Sequence, residues 1–522
     1  MTIETSIFYS YLISSPSSMI KADYAAGLLA IVVLLQLAKL YRKHSLAISS
    51  KIPLPPGPPP RWFWSNALPT VKIAHALTEF IPKYGPVMSL RQGSKIVIVI
   101  GSVEAATDIM EKESRSLVDR PRSIAAGELF SRGMRIVMAS GDQFRRLRKA
   151  VHAHLRPKAA QAYQDIQSEN ARGFILNILD DPKNHQNYAM RFAASVILRV
   201  TYGKSTPTAM NDPEVVRIHK VIDHFQIAMR PGAFLVDRVP LLQYLPGYGK
   251  QLIEWYHEEL ELYLQQLGRV KSEMEQGKAG PSFTKSLLEN TEEHGLTVNE
   301  MSFLAGALFG AGSDTTSVGL TNIIMAAACY PLAQAKVHEE LDRVIGSNRV
   351  PTPEDASSLP QLHAFLLEAL RWRPVVPLGF PHCATRDIIW QSYCIPKGAT
   401  VYGCNWAISR DPIAFPDPEN FDPQRWLGSE GGLRDGFNVM KLFTYGFGRR
   451  VCPGMHLANN SLYISLALLL WSFRIAKRPD TPIDTHAFND TAISHAAPFK
   501  VDFIPRADVT KLREMMMNGY TD

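Results

Sequence analysis

Hydrophobic and polar positions change their period several times along this chain. Residues 25–35 are an unbroken apolar and small run, continued by Gln36-Leu-Ala-Lys-Leu40 and flanked by Tyr24 and Tyr41. That gives about 17 residues, just enough to cross a bilayer as one helix. A core helix here has nothing before it to pack against. A cleavable signal would carry its basic residues ahead of the run, whereas Lys39, Arg42, Lys43 and His44 lie at or beyond its end. A retained anchor with the following residues cytosolic is therefore expected. From about 61 to 101 the pattern is one of short strands, and Lys95-Ile-Val-Ile-Val-Ile100 is a β-branched run that needs a sheet. Long helical patterns then dominate to about residue 375. Positions 253–275 are charged at helical spacing, and 298–330 form a very long, largely apolar helix. Strand character returns over 388–401, where Pro396-Lys-Gly398 is a hairpin signal. A helix over about 456–471 and strands near 499–504 complete a mainly α fold with small β-sheets.

Between the anchor and the body, Pro53-Leu-Pro-Pro-Gly-Pro-Pro-Pro60 holds six prolines in eight residues. Proline fixes φ and removes donors, so the stretch reads as a semi-rigid extended spacer. A ligand for a proline-recognising domain is the competing reading, weakened by its place directly after the anchor. The expected organisation is an N-terminal segment 1–23, an anchor 24–41, a hinge 42–60, one folded body 61–508 and a tail 509–522.

Composition narrows the function classes. The 522 residues are 46% hydrophobic and 20% charged, ordinary for a large core, and 33 Gly with 36 Pro give no sign of extensive disorder. The net charge of +7 is spread thinly, with no block of basic residues and no aromatic–basic interleaving, so nucleic acid is not an expected partner. Five cysteines at 329, 383, 394, 404 and 452 have no regular spacing, which argues against a disulfide framework or zinc site and suits a reducing compartment. Four sit among apolar residues. Cys452 is different, because glycines and arginines surround it.

That surrounding is Phe443-Thr-Tyr-Gly-Phe-Gly-Arg-Arg-Val-Cys-Pro-Gly-Met-His-Leu-Ala458. Glycines at 446, 448 and 454 permit tight turns whose amides can point at a sulfur anion. Arg449 and Arg450 place positive charge nearby, which lowers a thiol pKa, and a helix beginning just after Cys452 would direct its positive end at the sulfur. The stretch is built to hold one charged sulfur against a bound cofactor. Inside the long apolar helix, Ala311-Gly-Ser-Asp-Thr-Thr316 places an acid and an alcohol where both are costly unless paired or used. Thr315 can bond the carbonyl of Ala311, and Gly312 permits local opening.

The cysteine stretch resembles the haem-binding loop of the cytochrome P-450 superfamily, Phe-x-x-Gly-x-Arg-x-Cys-x-Gly. Gly448, Arg450, Cys452 and Gly454 match in place, while Tyr445 stands where Phe is usual. The resemblance runs from about 50 to 505 and implies the cytochrome P-450 fold, with haem b (iron protoporphyrin IX) between the long helix and the cysteine loop. It makes Cys452 the axial ligand of the haem iron, a thiolate that favours O–O cleavage. It also makes Asp314 and Thr315 the acid–alcohol pair that delivers protons to bound oxygen. Glu368-Ala-Leu-Arg371 lies on one helix face among Phe365, Leu366, Leu367, Leu370 and Trp372, and by resemblance Arg425 of Phe421-Asp-Pro-Gln-Arg-Trp426 completes a structural network with it. Propionate partners are implied at Arg450, at Arg148 and at His382. Arg148 belongs to a segment where Phe144 replaces the family's usual Trp.

The same resemblance implies where substrate sits, with Phe130, Phe303, Ala307, Ala311, Val375, Val376, Leu378 and Ile493 as lining. Nearly all are apolar, which favours a lipophilic molecule, terpenoid before polyketide or alkaloid. The overall texture is similar to fungal secondary-metabolism enzymes related to O-methylsterigmatocystin oxidoreductase. No flavin or nicotinamide motif is present, so O₂ chemistry would draw NADPH-derived electrons from a membrane NADPH–cytochrome reductase, with cytochrome b5 as a second donor. That reductase is expected on the basic face formed by Lys441, Arg449, Arg145, Arg146 and Lys149. The implied address is the endoplasmic reticulum membrane, single-pass, with the body cytosolic. A haem-thiolate isomerase or dehydratase is the alternative and usually lacks the acid–alcohol pair. A non-enzymatic haem-binding protein would need no acid buried in an apolar helix.

Overall fold

The computed structural model describes Gln36 and residues 52–518, apart from 61–64, 67–68, 70, 94, 205–207 and 435–442. The expected anchor lies outside these residues except for Gln36, as do Lys39, Arg42, Lys43, His44 and Lys441. Among the described residues no single helix is long and apolar enough to cross a membrane.

Helices of nine or more residues are α1 (Gly141–Leu155), α2 (Gln164–Asp180), α3 (His185–Tyr202), α4 (Pro213–Met229), α5 (Lys250–Glu275), α6 (Val298–Cys329), α7 (Pro331–Val344), α8 (Pro360–Trp372), α9 (Met455–Ser472) and α10 (Val509–Met517). Strands are β1 (Val87–Gln92), β2 (Lys95–Ile100), β3 (His382–Cys383), β4 (Ile388–Trp390), β5 (Tyr393–Ile395), β6 (Thr400–Gly403), β7 (Phe473–Lys477) and β8 (Val501–Pro505). One sheet has the order β1-β2-β6-β3, and β4-β5 and β7-β8 form two further pairs.

The unbroken apolar run of β2 is explained by burial on both faces. Ile96, Ile98 and Ile100 enter the main core, while Val97 and Val99 join a smaller one with Ala74, Leu77, Met88, Leu90 and Trp406. The axis of the main core is α6. Thr297 and Glu300 begin it with a capping box, the Glu300 carboxylate accepting from Thr297 N at 2.9 Å. α3 packs closely along it at Gly312, where an added Cβ would lie 2.6 Å from Ile197 Cγ1.

Three boundaries differ from expectation. The proline stretch is docked rather than a free spacer. Proline lacks a donor but keeps its carbonyl, and Pro53, Pro55 and Pro56 accept from Cys394 N, Ser89 Oγ and Ser89 N at 2.8, 2.6 and 2.8 Å. Gly57 is required there, since a Cβ would meet Ser89 O at 1.9 Å. The expected tail 509–522 contains α10, whose Leu512 and Met516 are buried and whose Arg513 reaches Asp180 of α2 at 2.7 Å, so the body extends through it. Finally, Pro396-Lys-Gly398 does turn the chain, with Gly398 at φ 83°, but it joins two different sheets. The hairpin is β4–β5, and it turns at Gln391, φ 52°.

Candidate active site around Cys452

The loop before α9 is shaped by turns that only glycine accommodates well. Gly448 has φ 52°, and a Cβ on it would come within 2.3 Å of Ser114 Cβ and 2.8 Å of Met110 O. Cys452 N donates to Tyr445 O at 2.8 Å, which closes the turn and leaves the half-buried cysteine beside the start of α9. Tyr445 keeps the aromatic ring expected at its position and satisfies its hydroxyl on Asn459 Oδ1 at 2.6 Å. Burial pushes the Cys452 thiol pKa up, against the opposing help of Gly454 N–H and Arg148. The lowered value expected from the flanking arginines is not found, because burial outweighs them: Arg450 is bonded to backbone carbonyls and Arg449 is exposed to solvent. Arg450 donates through Nε to Val118 O (2.5 Å), through Nη2 to Ala139 O (2.5 Å) and through Nη1 to Ile136 O (3.3 Å), while its guanidinium lies 3.5 Å from the centre of the Phe144 ring.

Arg148 of α1 is the cation nearest in effect to Cys452. It is half-buried, burial lowers its pKa with Cys452 opposing, and among the described residues it has no hydrogen-bond or ion-pair partner. Arg120 is a further cation that the sequence reading missed. Its Nε donates to Val137 O (3.1 Å) and its Nη1 to Pro381 O (2.6 Å), and burial together with the charge of Arg450 lowers its pKa to about 9. The segment Val118-Asp-Arg-Pro121 carries no local signal for this position. His382 donates its Nδ1–H to Leu117 O at 2.7 Å, and burial with the charges of Arg120 and Arg450 lowers its pKa to about 3. Its Nδ1–H is thus committed to Leu117 O, and its surroundings favour the neutral ring. Arg120, Arg148 and Arg450 together form a cationic cluster, and among the described residues no carboxylate is bonded to any of them.

Along α6, Ala307, Ala311, Gly312 and Thr315 keep accessible surface while their helix neighbours are buried. Steps of four residues put Ala307, Ala311 and Thr315 on one face of the helix. Thr315 Oγ1 donates to Ala311 O at 2.7 Å, and the Asp314 carboxylate, one residue back, meets His495 Nε2 at 3.0 Å.

A cavity of about 880 Å³ is lined by Arg120, Met138, Gln226, Leu378, Tyr402 and Ala492, among others. Thr315 and Cys452 are not part of its wall. Of the expected substrate residues, Leu378 lines it, Val376 and Ile493 are half-buried nearby in sequence, and Val375 is almost enclosed. Phe303 and Phe130 have no accessible surface. Phe303 is stacked on Tyr256 and edge-on to Tyr263, and Phe130 packs with Phe225, Trp255 and Arg135, so both belong to the core rather than to a pocket wall.

Away from the site, Glu368, Arg371 and Arg425 come together. Arg371 binds Glu368 with both Nε (2.8 Å) and Nη2 (2.7 Å), and Arg425 Nε reaches the same carboxylate at 3.2 Å. Asp422 N and Trp426 Nε1 also donate to it, the second of which the sequence reading did not include.

The site thus joins a half-buried cysteine loop to an alcohol-bearing face of the central helix in a mainly helical body. The chain belongs to the cytochrome P450 family, whose profile matches residues 55–503. It is 48% identical over 454 residues to cytochrome P450 monooxygenase 64 of Postia placenta, covering 87% of this chain and 91% of that one. Monooxygenase 113 of the same fungus is 46% identical over 470 residues, 90% and 94% of the two chains. Cytochrome P450 monooxygenase claR of Ampulloclitocybe clavipes is 32% identical over 477 residues, 87% of each. The chain is thus an oxygenase enzyme of this family, which implies a haem cofactor. The residues present fit one. The half-buried cysteine receives the Gly454 N–H, and Arg148 is a half-buried cation with no ion-pair partner among the described residues. A raised thiol pKa is no obstacle, because coordination to a metal removes the proton outright.

Proposed function

We propose that this enzyme binds haem b through Cys452 and inserts one oxygen atom of O₂ into a lipophilic secondary metabolite, with terpenoids the favoured class. The observation that carries the reading is the accessible stripe Ala307–Ala311–Thr315 on an otherwise buried helix, with the Thr315 hydroxyl held on Ala311 O and an acid beside it. Bound through a thiolate, the haem supplies O₂ activation. The protein's share is to hold the sulfur in its glycine turns, to answer the propionates with Arg148 and Arg120, and to keep a proton-bearing alcohol and acid at the stripe. Arg450 acts beside them by tying the 118–139 segment to the cysteine loop.

Electrons would come from an NADPH–cytochrome reductase, with cytochrome b5 as a second donor. Arg145 and Lys149 are well exposed but accompanied by Asp142 and Glu293, at 3.2 and 3.4 Å, whereas exposed Arg449 has no bonded acid among the described residues. Surface pairs of this kind contribute little and exchange partners readily. Reversal of charge at Arg449 is expected to raise the reductase KM with kcat retained. The address we propose is the endoplasmic reticulum membrane, supported by the apolar run at 25–40 and by exposed Leu235, Val239, Leu241, Tyr244 and Leu245. Their segment also contributes Asp237 and Arg238 to the cavity wall, which brings the exposed apolar patch next to the cavity.

The test is the ferrous–CO spectrum of the purified chain, followed by product analysis with reductase and candidate terpenoids. A red-shifted Soret band that disappears in Cys452→Ala is expected, with substrate-dependent NADPH consumption. A His-type spectrum, or activity surviving in Cys452→Ala, overturns the reading.

A further inference from the structure

Asp314 does not stand alone behind the stripe. The chain segment 488–496 folds back on itself, with Asn489 N donating to His495 O and Asn489 Oδ1 accepting from His495 N, both at 2.9 Å. Ser494 N is fastened to Val375 O at 2.9 Å. This clasp sets His495 Nε2 at 3.0 Å from Asp314 Oδ1. The His495 side chain keeps 31% of its surface accessible, whereas that of Asp314 keeps 9%, and Asp314 Oδ2 is enclosed without a partner. From α4, exposed Asp223 and half-buried His219 act electrostatically on the same pair. Burial alone would lower the His495 pKa, but the hydrogen bond and charge of Asp314, with Asp223 behind, raise it instead. His219, by contrast, is lowered by burial, so of the two histidines His495 is the one whose imidazolium its surroundings favour.

We propose that His495 is the positioning residue through which protons pass from solvent to Asp314, an inference that rests on the monooxygenase reading above. Monooxygenation consumes two protons and two reductase electrons per turnover, RH + O₂ + 2e⁻ + 2H⁺ → ROH + H₂O. Each proton leaves His495 Nε2 as its bond to Asp314 Oδ1 forms, and the neutral imidazole recovers one from water at its accessible edge. Asp314 then holds the proton as a carboxylic acid next to Thr315, with its second oxygen free of competing bonds. The charge of Asp223 favours the imidazolium form.

The experiment compares wild-type holoenzyme, His495→Gln and Asp223→Asn with reductase and a turned-over substrate, across pH. Glutamine can still donate to Asp314 but cannot relay a proton. We expect His495→Gln to keep the ferrous–CO band, substrate affinity and KM. Its kcat should fall on the order of 100-fold, with more NADPH diverted to peroxide and a larger solvent deuterium isotope effect. The wild-type kcat should decline as pH rises through the His495 pKa; His495→Gln should lose that limb, and Asp223→Asn should move it to lower pH. Should His495→Gln fail to fold, the displaced limb in Asp223→Asn carries the inference. Unchanged kcat, coupling and limb in His495→Gln overturn it, as does an unmoved limb in Asp223→Asn. A wild-type chain without the thiolate band would instead overturn the monooxygenase reading and the inference with it.

Discussion

Trp426 Nε1 donates to Glu368 Oε2 at 2.9 Å, on a carboxylate with no accessible surface. Glu368 thereby answers two guanidinium groups, one indole and the amide of Asp422, and it joins α8 to the segment 416–426. A charge buried this completely is tolerated only while every partner stays. Glu368→Gln is expected to cost about 3–5 kcal/mol, because Arg371 and Arg425 would be left without a counter-charge. Trp426→Phe removes one bond to a charged group and should cost about 1.5–3 kcal/mol. Urea midpoints at constant slope check both, with the smaller loss in Trp426→Phe the discriminating result.

Close packing along α6 gives a second expectation. A Cβ at Gly306 would lie 2.3 Å from Cδ1 and Cε1 of Tyr263, whose ring is almost fully enclosed beside Phe303. Gly306→Ala should therefore destabilise by about 1–3 kcal/mol through overpacking. In a Tyr263→Leu background the same change should cost less than about 1 kcal/mol, since the ring is gone. A double-mutant cycle reads the difference directly, and equal costs in both backgrounds would refute the contact.

What was legible in the sequence was chemistry carried by residue type at fixed spacing. Cys452 stood out because glycine turns and arginines are costly ornaments for a structural thiol, and Thr315 could be paired with Ala311 because a helix fixes that geometry locally. Long periodic elements such as α5, α6 and α9 were legible for the same reason. Partners set by distant chain were not. The proline stretch looked free because Ser89 and Cys394, which bind its carbonyls, are remote in sequence. Pro396-Lys-Gly398 signals a turn but cannot say which strand pairs with which, so the hairpin was placed a few residues late. Phe303 and Ala307 lie one helical turn apart, yet only the positions of Tyr256 and Tyr263 decide that Phe303 packs into the core. Arg120 and His495 gave no local sign of their roles.

Arg148 yields a prediction with two readouts of opposite sense. A half-buried cation with no partner among the described residues burdens the haem-free chain, so Arg148→Leu should leave apoprotein stability unchanged or raise it by about 1 kcal/mol. In the haem-loaded enzyme the same change removes a charge-assisted bond worth about 1.5–3 kcal/mol. Haem should then pass to an excess of haem-scavenging apoprotein about tenfold faster or more. Urea midpoints of the apoprotein and the transfer rate of the holoenzyme measure the two. Equal haem retention would remove Arg148 from the propionate site.

His382 sets an acid limb whose sign follows from its surroundings. Burial, then the charges of Arg120 and Arg450, lower its pKa from 6.5 to about 3. As pH falls below 6.5 the unfolded chain takes up a proton there and the folded chain does not, so stability is lost progressively between pH 6.5 and about 3. Each pH unit in that window is worth about 1.4 kcal/mol, or on the order of 3 kcal/mol at pH 4.5. His382→Asn retains a donor for Leu117 O without a titrating ring. Its urea midpoint should therefore fall less than that of wild type between pH 7 and 4.5. His75, His185 and His338, each lowered by burial to about 4, share the same window, so the variant should flatten the limb only in part. Identical slopes in the two proteins would mean that His382 takes up its proton equally in the folded and unfolded chains, against the lowered pKa.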